Sequence, residues 1–388
     1  MKLKPFLIPR LNYDFSFKDM LVSFFSLFTN ISQKKIEELY GNKNIYFLNH
    51  ARTALKIVLS SLNLKKGARV GVQVYNCHTV FQAIKESNFV PVFIDVDENL
   101  RIDLHDLKIK KQKLDALIIT HLFGFPAPID EIKVLSGNIP IIEDCAHSFL
   151  SKYKYQFTGT FGDAGVFSMG HGKFPSIGDG GMIIINNHKL INPISDQFER
   201  LRKPSTLDSS KNILKNFVFS MAHKRPIYGL ITNTLGRALD KKLDLGKKKQ
   251  FTEMQICRAN RNIFLYKFEH HLKNVEQQKH NAQKVLSSSN KWNYMHDKEK
   301  NMNYFMLPFI CKERDRIIDY SIGRNIEFGK HFSQSLLWAS EYGYLKNSCP
   351  KSETLVDRIL TVPCYYRLKS KHMMRIKSIL KIFEKTNS

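Results

Sequence analysis

The segment Ile-Ile-Glu-Asp-Cys-Ala-His at residues 141–147 joins an apolar run to a carboxylate and a histidine. Similar short apolar runs, bounded by turn residues or polar ends, occur at Arg69–Val74, Val90–Asp95, Ala116–Thr120, Ile139–Glu143, Ala164–Ser168 and Gly181–Ile185. Apolar residues at helical spacing lie between them, at Thr53–Leu62, Val80–Lys85 and Ile129–Leu135. This alternation predicts an α/β fold with a mostly parallel sheet flanked by helices.

The length of 388 residues favours two domains. We expect an N-terminal helical arm over 1–43, then a large domain over 44–250 that contains a helical, basic insertion at about 190–250. A long connecting helix and a smaller C-terminal α/β domain are expected over 251–388. The strands of that domain are predicted at Tyr304–Ile310 and Ile359–Val362, and a closing helix at Ser370–Glu384.

Two segments carry candidate chemistry. Ligands of open parallel sheets bind at the carboxyl ends of the strands, so Asp144 is placed where a carboxylate can pair with a protonated ring nitrogen. The alternative for Asp144 is a helix cap. In the second segment a strand delivers Ser168, and Lys173 follows in a turn of small residues. An enclosed lysine loses its proton readily and can attack a carbonyl, whereas a lysine in a glycine-rich loop is otherwise solvated.

Several motifs occur together in an order that resembles the DegT/DnrJ/StrS sugar aminotransferases, which are pyridoxal-phosphate enzymes of the aspartate aminotransferase fold. The matching pieces are His121-Leu122-Phe123-Gly124 with Pro126, Glu143-Asp144-Cys145-Ala146, Phe167-Ser168, Lys173, Gly178-Asp179-Gly180-Gly181, Cys349-Pro350 and Ile359–Pro363. The resemblance implies the fold called type I among pyridoxal-phosphate enzymes. It also implies that pyridoxal 5'-phosphate is the cofactor.

The resemblance assigns roles to individual residues. It implies that Lys173 forms the Schiff base, that Asp144 pairs with the pyridinium nitrogen, that His147 contacts the ring hydroxyl and that Ser168 binds the phosphate. A second set of positions departs from the family pattern. Ala51 and Arg52 open a helix where relatives usually have a Gly-Thr pair, so either a plain helix start or a phosphate contact is expected there.

The stacking position and the substrate position are less defined. Cys77 occupies the slot where relatives often place an aromatic residue over the cofactor ring, and Tyr75 and His78 stand beside it. Either one of the three covers the ring, or Tyr75 is a core residue and His78 caps a helix. His331, after Lys330, resembles a histidine that relatives place near the sugar. The Asn-Tyr-Arg segment by which relatives contact the partner subunit's cofactor is not found between residues 190 and 258, although a homodimer is expected.

The implied reaction moves an amino group from an amino acid, with glutamate expected, to a keto sugar that is expected to be nucleotide-linked. Some relatives carry histidine in place of the lysine and are dehydratases. Gly178 follows Lys173 by five positions (178 − 173). That spacing assigns Lys173 to the Schiff-base position and leaves His171 as a turn residue.

The composition of the chain also supports a second hypothesis, that the protein binds anionic partners and is not an enzyme. A formal net charge of +25 favours anionic partners, so a non-catalytic member of the family could bind nucleic acid or an anionic membrane surface, the latter through the helical stretch Ile213–Leu239. No aromatic-plus-basic RNA motif or zinc finger accompanies the charge. The six cysteines are scattered without a CxxC pair, so no metal site is expected. With no apolar leader at the N-terminus, a cytoplasmic location is expected.

Overall fold

The central element is a seven-stranded sheet. The computed structural model describes residues 4–233, 252–287 and 301–384. The sheet has the order β1-β9-β8-β5-β4-β2-β3, and all its strands run in one direction except β9. Its strands are β1 Asn44–Leu48, β2 Arg69–Gln73, β3 Val90–Ile94, β4 Ala116–Thr120, β5 Ile141–Asp144, β8 Ala164–Ser168 and β9 Gly181–Ile185, and a small hairpin, β6 Lys152–Tyr153 and β7 Gln156–Phe157, precedes β8. The predicted α/β fold with a mostly parallel sheet is confirmed.

Helices pack around the sheet and continue beyond it. The N-terminal helices and those interspersed with the strands are α1 Phe17–Phe25, α2 Lys34–Leu39, α3 Ala51–Ser61, α4 His78–Glu86, α5 Leu104–Lys110 and α6 Ile129–Ser136. Those that follow the sheet are α7 Ile191–Arg200, α8 Thr206–Ala222, α9 Arg258–Tyr266, α10 Phe268–Leu286, α11 Arg314–Gly323, α12 Ser335–Ser340, α13 Pro350–Leu355 and α14 Ser370–Glu384. Among the described residues, no helix combines the length and the apolar character that a membrane span requires.

The carboxyl ends of β2 and β4 separate, and this creates space at the edge of the sheet. Only Val70 and Gly71 of β2 pair with β4, opposite Ala116 and Leu117. Beyond these residues, the side chain of Gln73 takes the place of the backbone hydrogen bonds between the two strands. Its amide nitrogen donates to the carbonyl of Thr120 at 2.9 Å, and its amide oxygen accepts from the backbone amide of Thr120 at 2.8 Å. The chain order reverses at this point, which is where open α/β sheets bind ligands.

The C-terminal part contains a second sheet, formed by β10 Leu307–Ile310 and β11 Ile359–Val362 in antiparallel register. The N-terminal segment is fastened to this part. Ile8 donates to the carbonyl of Asn325 at 3.0 Å and accepts from the amide of Glu327 at 2.9 Å. Residues close to the N-terminus therefore lie beside residues more than three hundred positions away.

The basic segment that was predicted as a helical insertion forms α7, α8 and a π-helical turn at Tyr228–Thr232. The rest of the predicted insertion, residues 234–250, lies outside the described residues. α8 begins with a capping box, in which the hydroxyl of Ser205 accepts from the amide of Asp208 and the Asp208 carboxylate accepts from the Ser205 amide. α8 packs against α1 and α9, so its inner face is part of the folded body.

Candidate active site

Lys173 stands at the junction of two cavities. One cavity, the strand-end pocket, lies at the carboxyl ends of the strands. The other, the arm pocket, lies under the N-terminal segment. The strand-end pocket is lined by Ala51, Arg52, Asn76, Cys77, Thr120, Asp144, His147, Ser168, Lys173 and Phe332, among others. Thr120, Asp144 and Ser168 end strands, and most of the other residues lie in the segments that follow strands.

Asp144 ends β5 and is buried in the strand-end pocket. Its carboxylate accepts hydrogen bonds from the Ala146 amide at 3.0 Å and from the Thr120 hydroxyl at 3.1 Å. Burial raises the pKa of this carboxyl, while the Ala146 amide and the positive charge of Lys173 oppose that rise. No helix starts next to Asp144 in the structure, so the helix-cap alternative does not apply.

His147 presents a hydrogen-bond donor to the same pocket. Its Nδ1 accepts from the amide of Phe123 at 3.2 Å, so the proton of the neutral ring is on Nε2. Nε2 is buried and has no hydrogen-bond partner among the described residues. The ring stacks on those of Phe305 and Phe332, with distances between ring centroids of 4.5 Å and 5.6 Å. Burial, then the charge of Lys173, lowers the pKa of His147 far below its usual value, which keeps the ring neutral.

The side-chain amine of Lys173 is suited to act as a nucleophile. Its Nζ lies 5.7 Å from the ring centroid of Phe305 and forms no ion pair within the described part of the chain. Burial lowers the pKa of this amine, while negative charge at Cys77 and Asp144 opposes the shift. An amine of this kind is deprotonated at a lower pH than a surface lysine, and the neutral form is the nucleophile.

The loop that carries Lys173 is fastened by α8 and α9. The side chain of Asn216 donates to the carbonyl of Ile177 at 3.0 Å. Asn260 donates to the carbonyl of Asp179 at 2.8 Å, and the Asp179 carboxylate pairs with Lys215 at 2.8 Å. The basic segment therefore has a structural role, because α8 supplies two of these contacts.

The backbone amides at the N-terminus of α3 border the strand-end pocket. The residue before the helix, His50, makes no side-chain cap, and Ala51 and Arg52 both line the pocket. The guanidinium of Arg52 donates to Gln82 at 3.2 Å. Together with Ser168 at the end of β8, these amides form a site with the chemistry that binds a phosphate group.

Gly181 permits the close approach of α3 to the sheet. A Cβ atom at this position would lie 2.4 Å from the backbone of His50 and 2.6 Å from the amide nitrogen of Ala51. We therefore expect Gly181→Ala to shift the start of α3 and to lower the free energy of unfolding by about 1–3 kcal/mol. Affinity for a phosphate-containing ligand should fall as well. Urea unfolding and spectroscopic titration of pyridoxal phosphate measure the two effects.

Gly323→Ala is the matched control for that substitution. Gly323 ends α11, and nothing lies within 4 Å of a Cβ atom added there. This variant should keep the unfolding free energy and the ligand affinity of the parent protein. Equal behaviour of the two alanine variants would contradict the role given to Gly181.

The three candidates for the stacking position have different locations. Cys77 lines the strand-end pocket. Burial raises the pKa of its thiol, but a hydrogen bond from His78 and the charge of Lys173 outweigh burial and lower the pKa. His78 is exposed at the rim, 5.4 Å from the ring of Trp338. Tyr75 is fully buried, and its hydroxyl donates to the carbonyl of His331.

Neither of the two substrate candidates, His331 and Lys330, lines the strand-end pocket or the arm pocket. His331 lies 5.1 Å from the ring of His147, and its buried Nε2 has no partner among the described residues. The ammonium of Lys330 instead pairs with Asp315 at 2.8 Å and does not line the strand-end pocket. His171 packs on Phe219 at 4.1 Å, outside the pocket lining.

One buried cluster in the described part of the chain has the residue types of a metal site: His121, Glu143 and Cys145. Its ligand atoms are already used. His121 accepts from the Ala127 amide through Nδ1 and bonds Glu143 at 3.0 Å through Nε2. The same carboxylate accepts three backbone amides between residues 159 and 162, at 2.6–2.7 Å. The cluster anchors the end of β5 and does not fit a metal ion.

A family model described as the DegT/DnrJ/EryC1/StrS aminotransferase family matches residues 30–381. The chain belongs to this family. The resemblance seen in the motifs is thereby confirmed. Pyridoxal phosphate is the cofactor of the family.

Curated relatives in this family share about a third of the residues over part of their length. GDP-perosamine synthase from Escherichia coli O157:H7 is 35% identical over 147 residues, covering 37% of this chain and 40% of the relative. UDP-N-acetyl-3-dehydro-alpha-D-glucosamine 3-aminotransferase from Acidithiobacillus ferrooxidans is 31% identical over 146 residues, covering 35% and 38%. The matched region thus spans less than half of each of these relatives.

Solved aminotransferase structures extend the similarity of fold to nearly the whole chain. An aminotransferase from Psychrobacter cryohalolentis superposes with a TM-score of 0.75 at 17% identity, covering 96% of this chain and 98% of that chain. The pyridoxal-phosphate form of a putative sugar aminotransferase, Spr1654 from Streptococcus pneumoniae, gives a TM-score of 0.74 at 17% identity, covering 98% and 100%. At this identity the likeness establishes the fold.

The residues of the strand-end pocket fit pyridoxal phosphate. The unpartnered Nε2–H of His147 is a donor for a ring hydroxyl, and the carboxylate of Asp144 is an acceptor for a protonated ring nitrogen. The uncapped start of α3, with Ser168 nearby, provides donors for a phosphate. Lys173 has the primary amine that an aldehyde requires. All four features line one cavity.

Proposed function

We propose that this member of the family transfers an amino group from an amino acid to a keto sugar, with pyridoxal phosphate bound in the strand-end pocket. The observation that carries the proposal is the convergence of a buried amine, a buried carboxylate and an unpartnered imidazole N–H on one cavity at the strand ends. These are the groups of Lys173, Asp144 and His147.

The residues that line the pocket would each bind a different part of the cofactor. Asp144 would pair with the ring nitrogen and His147 would donate to the ring hydroxyl. Ser168 and the amides of Ala51 and Arg52 would bind the phosphate. Cys77 would lie against the ring, since it is the stacking candidate that lines the pocket. When bound, pyridoxal phosphate supplies an aldehyde and a positively charged ring that withdraws electrons from the attached substrate.

Lys173 would move the proton in each half of the exchange. Burial lowers the pKa of this amine and so favours its neutral form, which can take a proton from a substrate carbon and later return it. The pocket sits between buried aromatic residues, which limits water beside the amine. The arm pocket, which Lys173 also lines, would hold the substrate.

We further propose glutamate as the donor and a nucleotide-linked keto sugar as the acceptor. Two curated relatives are named for GDP-linked and UDP-linked sugars, and this supports the acceptor class. His331 is the family position expected near the sugar; its ring centroid lies 5.1 Å from that of His147, although His331 itself lines neither the strand-end pocket nor the arm pocket. A homodimer in the cytoplasm is the expected setting.

The dehydratase alternative is less well supported. It requires a histidine in place of the lysine, but His171 packs between Phe219 and the arm residue Tyr13, outside the lining of the strand-end pocket. Burial lowers the pKa of His171 to about 4, so it would be a weak base there. The non-catalytic alternative does not account for the buried groups of Lys173 and Asp144 in one cavity.

An absorbance spectrum of the purified protein with pyridoxal phosphate tests the proposal. The preparation should be yellow, and adding glutamate should remove the visible band as the amino group reaches the cofactor. Aspartate and glutamine serve as comparison donors. A colourless protein that does not take up the cofactor would refute the enzyme and favour a binding role.

A further inference from the structure

Helix α1 has polar residues on its inner side and large apolar residues on its outer side. The side chains of Asp19, Ser23 and Ser26 are buried. The helix and the 3-10 turn that follows it expose five large apolar side chains, which are Phe17, Leu21, Phe24, Phe25 and Phe28. A surface helix of a water-soluble protein normally has the reverse arrangement, and an exposed apolar patch of this kind marks an interaction site.

The inner side of α1 holds the helix in this orientation. The carboxylate of Asp19 pairs with the ammonium of Lys267 at 3.0 Å. The side-chain amide of Asn262, on α9, donates to the carbonyls of Ser26 and Thr29 at 2.8 Å and 2.9 Å. The phenylalanines cannot turn inward without breaking this ion pair and these hydrogen bonds, which would leave buried polar groups without partners.

Helix α8 extends the apolar surface beside α1. Its exposed apolar residues are Leu207, Leu214, Val218 and Met221. Their spacing places them on one side of the helix. The other side is buried and includes Asn216, which fastens the loop of Lys173. Because α1 packs against α8, with the rings of Phe17 and Phe217 at 6.2 Å, the exposed residues of both helices form one surface, the apolar face.

The charged residues on the apolar face are positive. Lys18 of α1 and Lys211 of α8 are exposed, and neither forms an ion pair with another described residue. The two helices contain two acids, Asp19 and Asp208. Asp19 is buried, and Asp208 caps α8 and pairs with Arg202 at 2.9 Å. An apolar surface that carries cations and lacks an unpaired acid complements an anionic surface.

We infer that the apolar face binds the surface of an anionic lipid bilayer, with its aromatic rings at the boundary between headgroups and acyl chains. Phenylalanine and leucine on one face of a helix favour this boundary. The lysine stems lie along apolar surface while their ammonium groups reach the lipid phosphates. The inference goes beyond the proposed function and does not depend on it, since the bilayer and the loop of Lys173 would contact opposite sides of α8.

A second copy of the chain would fit the apolar face less well. A two-fold contact brings the same patch of both copies together. Lys211 lies between Leu207 and Leu214 on the outer side of α8. The described part of the face offers no unpaired acid to this lysine, so self-contact would bury an ammonium group without a partner. At a bilayer the same group stays at the level of the phosphates.

Vesicle co-sedimentation tests the inference. The 388-residue chain, saturated with pyridoxal phosphate, is mixed with vesicles of phosphatidylcholine alone or of equal parts phosphatidylcholine and phosphatidylglycerol. The parent protein should bind the anionic vesicles, and added salt should weaken this binding. In the double variant F25S/F28S the partition coefficient should fall about tenfold or more, because two exposed aromatic rings are lost.

The double variant V134S/L345S is the matched control. Val134 and Leu345 are 82% and 73% exposed, against 76% and 82% for Phe25 and Phe28, and they lie outside the apolar face. This variant should bind the anionic vesicles as the parent protein does. A parent protein that does not bind these vesicles, or equal binding by the two double variants, would overturn the inference.

Light scattering without lipid measures the assembly of the same samples. The parent protein and F25S/F28S should have the same mass; a smaller particle in the variant would assign the face to a second copy and overturn the inference. Thermal unfolding checks that F25S/F28S is folded, and F28S alone replaces it if it is not. The glutamate-dependent spectral change should be equal in all samples. Its absence from the parent protein would refute the proposed function, whereas loss of vesicle binding alone refutes the membrane contact.

Discussion

Replacing Lys173 with alanine is expected to remove the visible absorbance band of the cofactor-loaded protein and to lower turnover by about 10³-fold or more. The amine is the nucleophile that would attach to the aldehyde and the base that would move the proton, so both functions are lost together. Pyridoxal phosphate should still bind, because the contacts of Asp144, His147 and the start of α3 remain. Absorbance spectra and single-turnover assays with glutamate measure the change.

The fold of this variant should be preserved. The loop around Lys173 is fastened by the side chains of Asn216 and Asn260 and does not depend on the lysine side chain. Lys189→Ala is the control, because Lys189 is exposed and far from the pocket lining. A band and a rate equal to those of that control would contradict the role of Lys173.

The strand-end residues could be predicted because their positions follow from a local pattern. An apolar run of four or five residues is a strand, and the residue at its end lies at the ligand edge of a parallel sheet. Asp144 and Ser168 were found in this way. Thr120 was missed, although it ends β4 and donates to Asp144, because a threonine that closes an aliphatic strand looks like a β-branched core residue.

Other features were missed because their signals are short or distant. α5 was not predicted, yet Asp103 accepts from the amides of His105 and Asp106 and caps its start, which a search for N-caps would have detected. The single long helix predicted after residue 251 is two helices, α9 and α10, that meet at Lys267.

The arm pocket could not be predicted from any local pattern. It brings Asp14 together with Lys267, and Asp14 also pairs with Arg367; the two partners are separated from Asp14 by about 250 and 350 positions. Such contacts depend on how the N-terminal segment crosses the C-terminal part. Gly172 shows how close this crossing is, since a Cβ atom there would lie 2.9 Å from Leu11 and 3.2 Å from the hydroxyl of Tyr13.

Asp144→Asn is expected to separate cofactor binding from catalysis. The asparagine oxygen can still accept from the Ala146 amide, so the end of β5 should keep its geometry. The amide is neutral at every pH, however, and cannot stabilise a proton on the ring nitrogen. Turnover should fall by about 10²- to 10³-fold while the visible band persists. Asp130→Asn is the control, since Asp130 is a surface residue paired with Lys154.

A cofactor with a permanent positive charge provides a second test of the role of Asp144. N-methylated pyridoxal phosphate carries the charge that the Asp144 carboxylate would otherwise maintain, so it should restore part of the rate in the asparagine variant. In the parent protein the methyl group would instead crowd the carboxylate, which lies in a buried site with Thr120 and Ala146. Rescue in the variant together with inhibition in the parent would locate the ring nitrogen at Asp144. Equal rates in both proteins would mean that this carboxylate does not face the ring, and the assignment of the strand-end pocket would then fail.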